Sequence, residues 1–287
     1  MKRNSRQAFA ARFSVEATRP TLLEIEKLAG ILPGGTEVYI TAVPKQTEDE
    51  LVNAAAALRR MGLEPVAHLA ARRLPDARTL SNLLQRLFGE AQVRRLLVIG
   101  GDAVQAGPFP DALSVIQHGR LRDVGIEEIG IGAYPEAHPK IAPERIEAAL
   151  DEKIAAAKAQ GLAVNIISQF SFSPERILTW VRQMRACGIA EPVKVGMVGP
   201  TGVTGLMRFA RRCGVSMSLQ GLLSGNVASL IGHVGPDRIL ETLSGAQGIG
   251  DAAPHYFSFG GTIETAGYAC AMAQRTGEFA RVMAGPD

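Results

Sequence analysis

Ten residues, Gly130-Ile-Gly-Ala-Tyr-Pro-Glu-Ala-His-Pro139, hold the densest group of chemically capable side chains in this sequence. A mostly apolar run from Glu128 to Ala133 reads as a buried strand, and it stops at Tyr134, Pro135, Glu136, His138 and Pro139. Proline ends strands and helices alike, so a phenol, a carboxyl and an imidazole sit on a stiff loop at a strand's carboxyl end. In parallel α/β sheets, open or closed, ligands bind at that end. Polar residues recur at or near the ends of other apolar runs: Glu16, Thr41, His68, Gly100-Gly101-Asp102, Ser168-Gln169, Gly196 and Ser258. Each is weak alone, and the repetition is the signal.

The residue types narrow the chemistry. Glu16, between Val15 and Ala17, is either a salt-bridged barrel residue or a carboxyl that donates a proton. His68, in Pro65-Val-Ala-His-Leu-Ala70, is equally a satisfied core histidine or a ligand contact. Asp102 follows paired glycines that allow close backbone approach, so its carboxylate faces whatever approaches. Gln169 offers both donor and acceptor to a heterocycle edge. His68, Asp102, Glu136 and His138 are metal-capable, but the first strand lacks the His-x-His pair of many barrel metallohydrolases. No metal is expected, and a metal-dependent hydrolase is a minor alternative. No nucleophile elbow marks a serine. Gly199-Pro-Thr-Gly-Val-Thr-Gly205 is either a phosphate cradle at a helix start or a tight turn.

Positioning these groups requires an alternation of short β-branched runs with longer periodic ones, the pattern of βα units. Strands are expected at Phe13–Ala17, Glu37–Ala42, Pro65–Ala70, Arg95–Gly100, Glu128–Ala133, Ala163–Ser168, Val193–Val198 and His255–Phe259. Thr47 with Glu50 makes a capping box, closed by Gly62; Ser173-Pro174 opens another helix, ended by Gly188; Pro143 starts a long helix through Ala159. Ser216–Ala246, punctuated by Gly221, Gly225, Gly232 and Gly235, predicts two or three short extra helices before the last strand. The economical fold is a (β/α)8 TIM barrel forming one catalytic domain over residues 1–287, with an open doubly wound sheet as the alternative. A dinucleotide fingerprint, G-x-G-x-x-G after the first strand, is missing.

Composition removes other classes. With 46% hydrophobic and 21% charged residues the chain matches an ordinary soluble protein with a large core. A net charge of +3 without a basic-aromatic stripe argues against nucleic acid. No apolar stretch reaches the roughly 18 residues that span a membrane. Cys187, Cys213 and Cys270 form neither a disulfide framework nor a zinc pattern, which suits a reducing cytoplasm. The basic, acid-free start through Arg12 is expected to be a short solvated tail. Exposed barrel helices make a homo-oligomer the expected state.

The ordered residues resemble the methylenetetrahydrofolate reductase family, in its bacterial, single-catalytic-domain form. Ala133-Tyr-Pro-Glu-Ala-His-Pro139 is close to the family's A-Y-P-E-x-H-P. Ala67-His-Leu69, Gly101-Asp102, Lys153 and Ser168-Gln-Phe170 support it in order along most of the chain. The resemblance implies a TIM barrel that passes hydride from NADH or NADPH, through FAD, to 5,10-methylenetetrahydrofolate. Glu16 is then the general acid, with Asp102 near flavin and pterin. Gln169 would hydrogen-bond the folate, beside Phe170, and Thr41, His68, Gly101, Asp102, Ala133, Tyr134, His138 and Lys153 would contact FAD. Three departures stand out. Ser14-Val-Glu-Ala-Thr18 lacks the usual aromatic and proline pattern, Gly100 stands where an arginine is common, and Gly261 does the same near the end. They leave open a flavin-free reductase, or a folate-binding or methyl-transfer barrel without redox chemistry.

Overall fold

A computed structural model describes residues 9–118, 120–136, 138, 141–202, 233–234 and 236–282. Eight parallel strands, β1 (Ser14–Ala17), β2 (Glu37–Ile40), β3 (Glu64–Ala70), β4 (Arg95–Ile99), β5 (Glu128–Ala133), β6 (Ala163–Ser168), β7 (Val193–Val198) and β8 (Ala252–Phe257), form a closed barrel. Their order around it is β1-β8-β7-β6-β5-β4-β3-β2. The (β/α)8 reading holds, and the open doubly wound alternative falls because closure leaves no edge strand.

Local chemistry sets the helix starts. The helix Glu48–Arg60 carries the reciprocal Thr47–Glu50 capping box, and Leu22–Ile31 carries a matching Thr21–Glu24 box. Pro174 after the Ser173 cap begins Pro174–Ala186, and Pro143 begins Pro143–Ala159. Gly62, at φ +79°, turns the chain directly into β3.

The eighth strand begins three residues before its expected start, because Pro254 in its middle reads as a strand breaker. Val193 N–H donates to Asp251 O and Gly199 N–H to Phe257 O, so the odd-numbered residues of β8 face β7. Pro254 therefore directs its missing donor toward β1, where pairing begins only at Ser14↔His255. Of the short helices expected over 216–246, Asp237–Ser244 is present, preceded by the antiparallel pair Thr201–Gly202 and His233–Val234. Residues 203–232 and Gly235, with Cys213 and the remaining expected helices, lie outside the described residues, as does Pro139.

Two compact units divide the chain, Glu16–Ala133 with Ile141–Ile167, and Met1–Val15 with Tyr134–Lys140 and Ser168–Asp287. In the first, the period-two alternation of strands puts three tiers on one face. The lowest tier is ionic. Arg95 Nε lies 2.8 Å from Glu128 and 3.7 Å from Glu37, its Nη1 lies 3.7 Å from Glu64, and the Asn165 amide donates to Glu128. Tyr39, Val66, Leu97 and Ile167 form the apolar tier above, with Ile99 packed against it. Gly130 yields its place there, since a Cβ would stand 2.5 Å from Ile167 Cδ1. Glu16, Thr41, His68 and Gly132 make the uppermost tier.

In the second unit Gly196 N–H donates to the Ser168 hydroxyl at 2.8 Å. A Cβ at Gly196 would stand 2.3 Å from Ser168 O, so this glycine serves close approach within the sheet rather than a ligand at a strand end. Phe170 meets Phe172, Phe257 and Phe259 edge to face at 5.2–5.7 Å.

Candidate functional site

The short first strand ends one residue after Glu16, so the carboxyl stays within the barrel tier that β2 and β3 complete. Glu16 and His68 are buried, at 8% and 5% side-chain exposure, with His68 Nε2 3.6 Å from Glu16 Oε1. Thr41 Oγ1 donates to the other carboxyl oxygen, Oε2, at 3.5 Å, and Thr18 Oγ1 donates to Thr41 Oγ1 at 3.3 Å. The edge of Tyr39 meets the His68 ring at 6.0 Å between centroids. Two candidates from separate strands, Thr41 and His68, thus converge on the carboxyl of a third, Glu16.

Gly132 belongs to the same tier from β5. Among the described residues a Cβ built on it meets only Ile99 Cγ2, at 4.0 Å, so the position leaves room beside Ile99. The carbonyl of Gly132 accepts from Lys153 Nζ at 3.3 Å. Burial lowers the Lys153 ammonium to about 8; the nearby Asp111 carboxylate opposes that fall and Arg145 adds to it. Lys153 therefore holds its proton reversibly near neutral pH, and an arriving anion would strengthen that hold.

Gly101, at φ +84°, turns the chain after β4 against Ala70 and sends Asp102 outward. Asp102 is 66% exposed, and its carboxylate accepts from Arg73 Nη2 at 3.0 Å. Arg73 is the partner of this candidate site residue, and sequence reasoning does not single it out. It ends the single 3₁₀ turn Ala71–Arg73 after β3, and the adjacent Arg72-Arg73 at a strand end was the available signal. Its Nε is buried without a hydrogen-bond partner. Ala133, the last residue of β5, is buried.

In the second unit Tyr134 and His138 meet edge to face at 5.0 Å, so the proline-bounded loop brings its phenol and imidazole together. Glu136 keeps one carboxyl oxygen buried without a hydrogen-bond partner. Gln169 turns back on its own backbone, Oε1 accepting from Phe170 N–H at 3.0 Å. Phe170 is 1% exposed within the aromatic group, so its ring packs against its aromatic neighbours while its backbone N–H holds Gln169. His255, buried and joined to the Ser14 hydroxyl at 2.8 Å through Nδ1, is read from sequence only as the first residue of the last strand; the observed strand starts at Ala252 and places it inside the sheet.

A family model described as methylenetetrahydrofolate reductase matches residues 9–221. A 5,10-methylenetetrahydrofolate reductase of Pectobacterium carotovorum subsp. carotovorum is 28% identical over 152 residues, 53% of this chain and 49% of that protein. Methylenetetrahydrofolate reductase 2 of Saccharomyces cerevisiae is 24% identical over 204 residues, 68% of this chain and 31% of that protein. The matches thus span half or less of each relative's length. Among solved structures, a dihydropteroate synthase from Thermus thermophilus covers 95% of this chain and 94% of its own at 12% identity, with a TM-score of 0.46, too loose to bear on function.

Proposed function

This chain belongs to the methylenetetrahydrofolate reductase family, and from that premise we propose that it reduces 5,10-methylenetetrahydrofolate to 5-methyltetrahydrofolate, with NADH or NADPH as donor and FAD as carrier. The observation that carries this reading is the buried Glu16 carboxyl, to which Thr41 donates and which His68 faces at 3.6 Å. Opening the methylene bridge requires a proton on the leaving nitrogen, and a carboxyl shielded from water is suited to deliver it. Glu16 is that acid, and loss of its proton leaves an iminium carbon ready to accept hydride.

The room above Gly132 and the cationic Lys153 fit a flavin dinucleotide, which supplies the hydride-carrying chemistry when bound. Thr41, His68, Gly101, Asp102, Ala133 and Lys153 would hold it, and the family resemblance assigns Tyr134 and His138 to it as well. Lys153 would offset phosphate charge. Asp102, steadied by Arg73, would accept hydrogen bonds from folate. The resemblance assigns Gln169 to the folate too, with Phe170 keeping its side chain in place.

A flavin-free route is the second reading. It is favoured by Gly100, which places no cation before Gly101-Asp102, and by Gly261, which likewise places none near the end of the chain where the family resemblance expects an arginine. Purified protein given NADH or NADPH and the folate, with and without FAD, tests both. Methyltetrahydrofolate formed only with FAD supports the first, and formation without flavin supports the second. Tight folate binding without turnover under either condition would leave a non-redox folate protein.

A further inference from the structure

We propose that His68 is the positioning residue for Glu16 and returns the proton that the acid spends, a role that rests on the reading of Glu16 as the general acid. The hydrogen-bond chain assigns the two carboxyl oxygens different work. Thr18 donates to Thr41 Oγ1, which leaves the Thr41 hydroxyl hydrogen for Glu16 Oε2. Oε2 is therefore an acceptor, and the acid's own proton belongs on Oε1. Oε1 is the oxygen that faces His68 Nε2 at 3.6 Å.

Burial makes the pairing matter. At 8% side-chain exposure Glu16 has little direct access to bulk water, so a spent carboxylate needs a donor inside the barrel. An imidazolium at His68 meets that need. Once Glu16 is spent, one proton from solvent joins the ring; the Nε2–H bond then breaks as the Oε1–H bond forms, and His68 ends neutral with its Nε2 lone pair facing the new Oε1–H. One proton leaves on the product and one enters from water, with no change of oxidation state at either residue. Around His68, Glu16 comes from β1 and the ionisable but high-lying Tyr39 phenol from β2; burial pushes that phenol well above its ordinary range. The residue paired with His68 on β4 is the apolar Leu97. Glu16 is thus the carboxyl among these that faces the His68 ring, at 3.6 Å.

Ring nuclear magnetic resonance titration of His68 in the cofactor-free protein and in Glu16→Gln tests the coupling. Loss of the facing carboxylate should weaken the ring's hold on its proton tenfold or more. Titration of His68 within twofold in the two proteins would overturn the proposal. A kinetic arm uses His68→Gln at saturating FAD. It should lower kcat at least about tenfold, within the usual range for proton-transfer groups, with little change in the folate KM, and should move the alkaline limb of the pH profile. An unchanged profile with a raised flavin requirement would assign His68 to cofactor binding alone. Coupling seen by resonance in a protein that reduces no folate would sink the reductase reading and leave the Glu16–His68 link intact.

Discussion

At Glu16 one carboxyl meets two different partners, a hydroxyl at Oε2 and an imidazole at Oε1, an asymmetry that would suit the acid role proposed for it. Glu16→Gln keeps the size and the Thr41 contact but removes the transferable proton. Folate reduction should fall by about 10² or more, while thermal unfolding stays close to that of the parent. Lys153 gives a second test at this scale. Its folded value near 8 lies below the ordinary 10.5, so between those values the unfolded chain holds more protons than the folded one. Stability should therefore rise as pH climbs from about 8 toward 10.5, because the cost of burying the charged ammonium disappears. Denaturant titrations across that range should show the rise in the parent and a flatter course in Lys153→Met. In the parent protein, affinity for a phosphate-bearing probe such as ADP should weaken as pH rises through 8, when Lys153 loses its charge.

Strands and helices were legible where a local rule decides them. The Thr47–Glu50 box, Pro143 and Pro174 each act within one turn, so their helices begin where residue type alone puts them. Thr47→Ala should cost about 1 kcal/mol in denaturant unfolding, the usual worth of such a cap. Gly196 escaped that logic: it is read as a strand-end residue but sits inside β7 against Ser168, a neighbour far away in sequence. Gly196→Ala should destabilise by about 1–3 kcal/mol, because its methyl would collide with backbone rather than with a side chain that can swing away. Gly132 behaves in the opposite way. Gly132→Leu fills open room, so it should abolish FAD binding in a fluorescence titration while leaving the circular dichroism spectrum and melting behaviour nearly unchanged.

Closure of eight strands requires their first residues to meet as well as their last, and in the first unit this places Glu37, Glu64 and Glu128 around Arg95. Arg95→Met should destabilise that unit by about 2 kcal/mol in urea unfolding, below the value for a sealed ion pair because the arginine side chain is 37% exposed. None of these charges attracted notice in sequence, since each opens its strand and reads as an ordinary surface residue. The sequence by itself determined the alternation of elements, the number of barrel strands and the polar residues that end them, because periodicity, caps and prolines act over a few residues. Only the tertiary structure decided which of those residues meet. Glu16, Thr41 and His68 come from three strands, and Arg73 reaches Asp102 across a strand-to-helix connection. Such meetings depend on strand register, which is fixed by hydrogen bonds between segments that are distant in the chain.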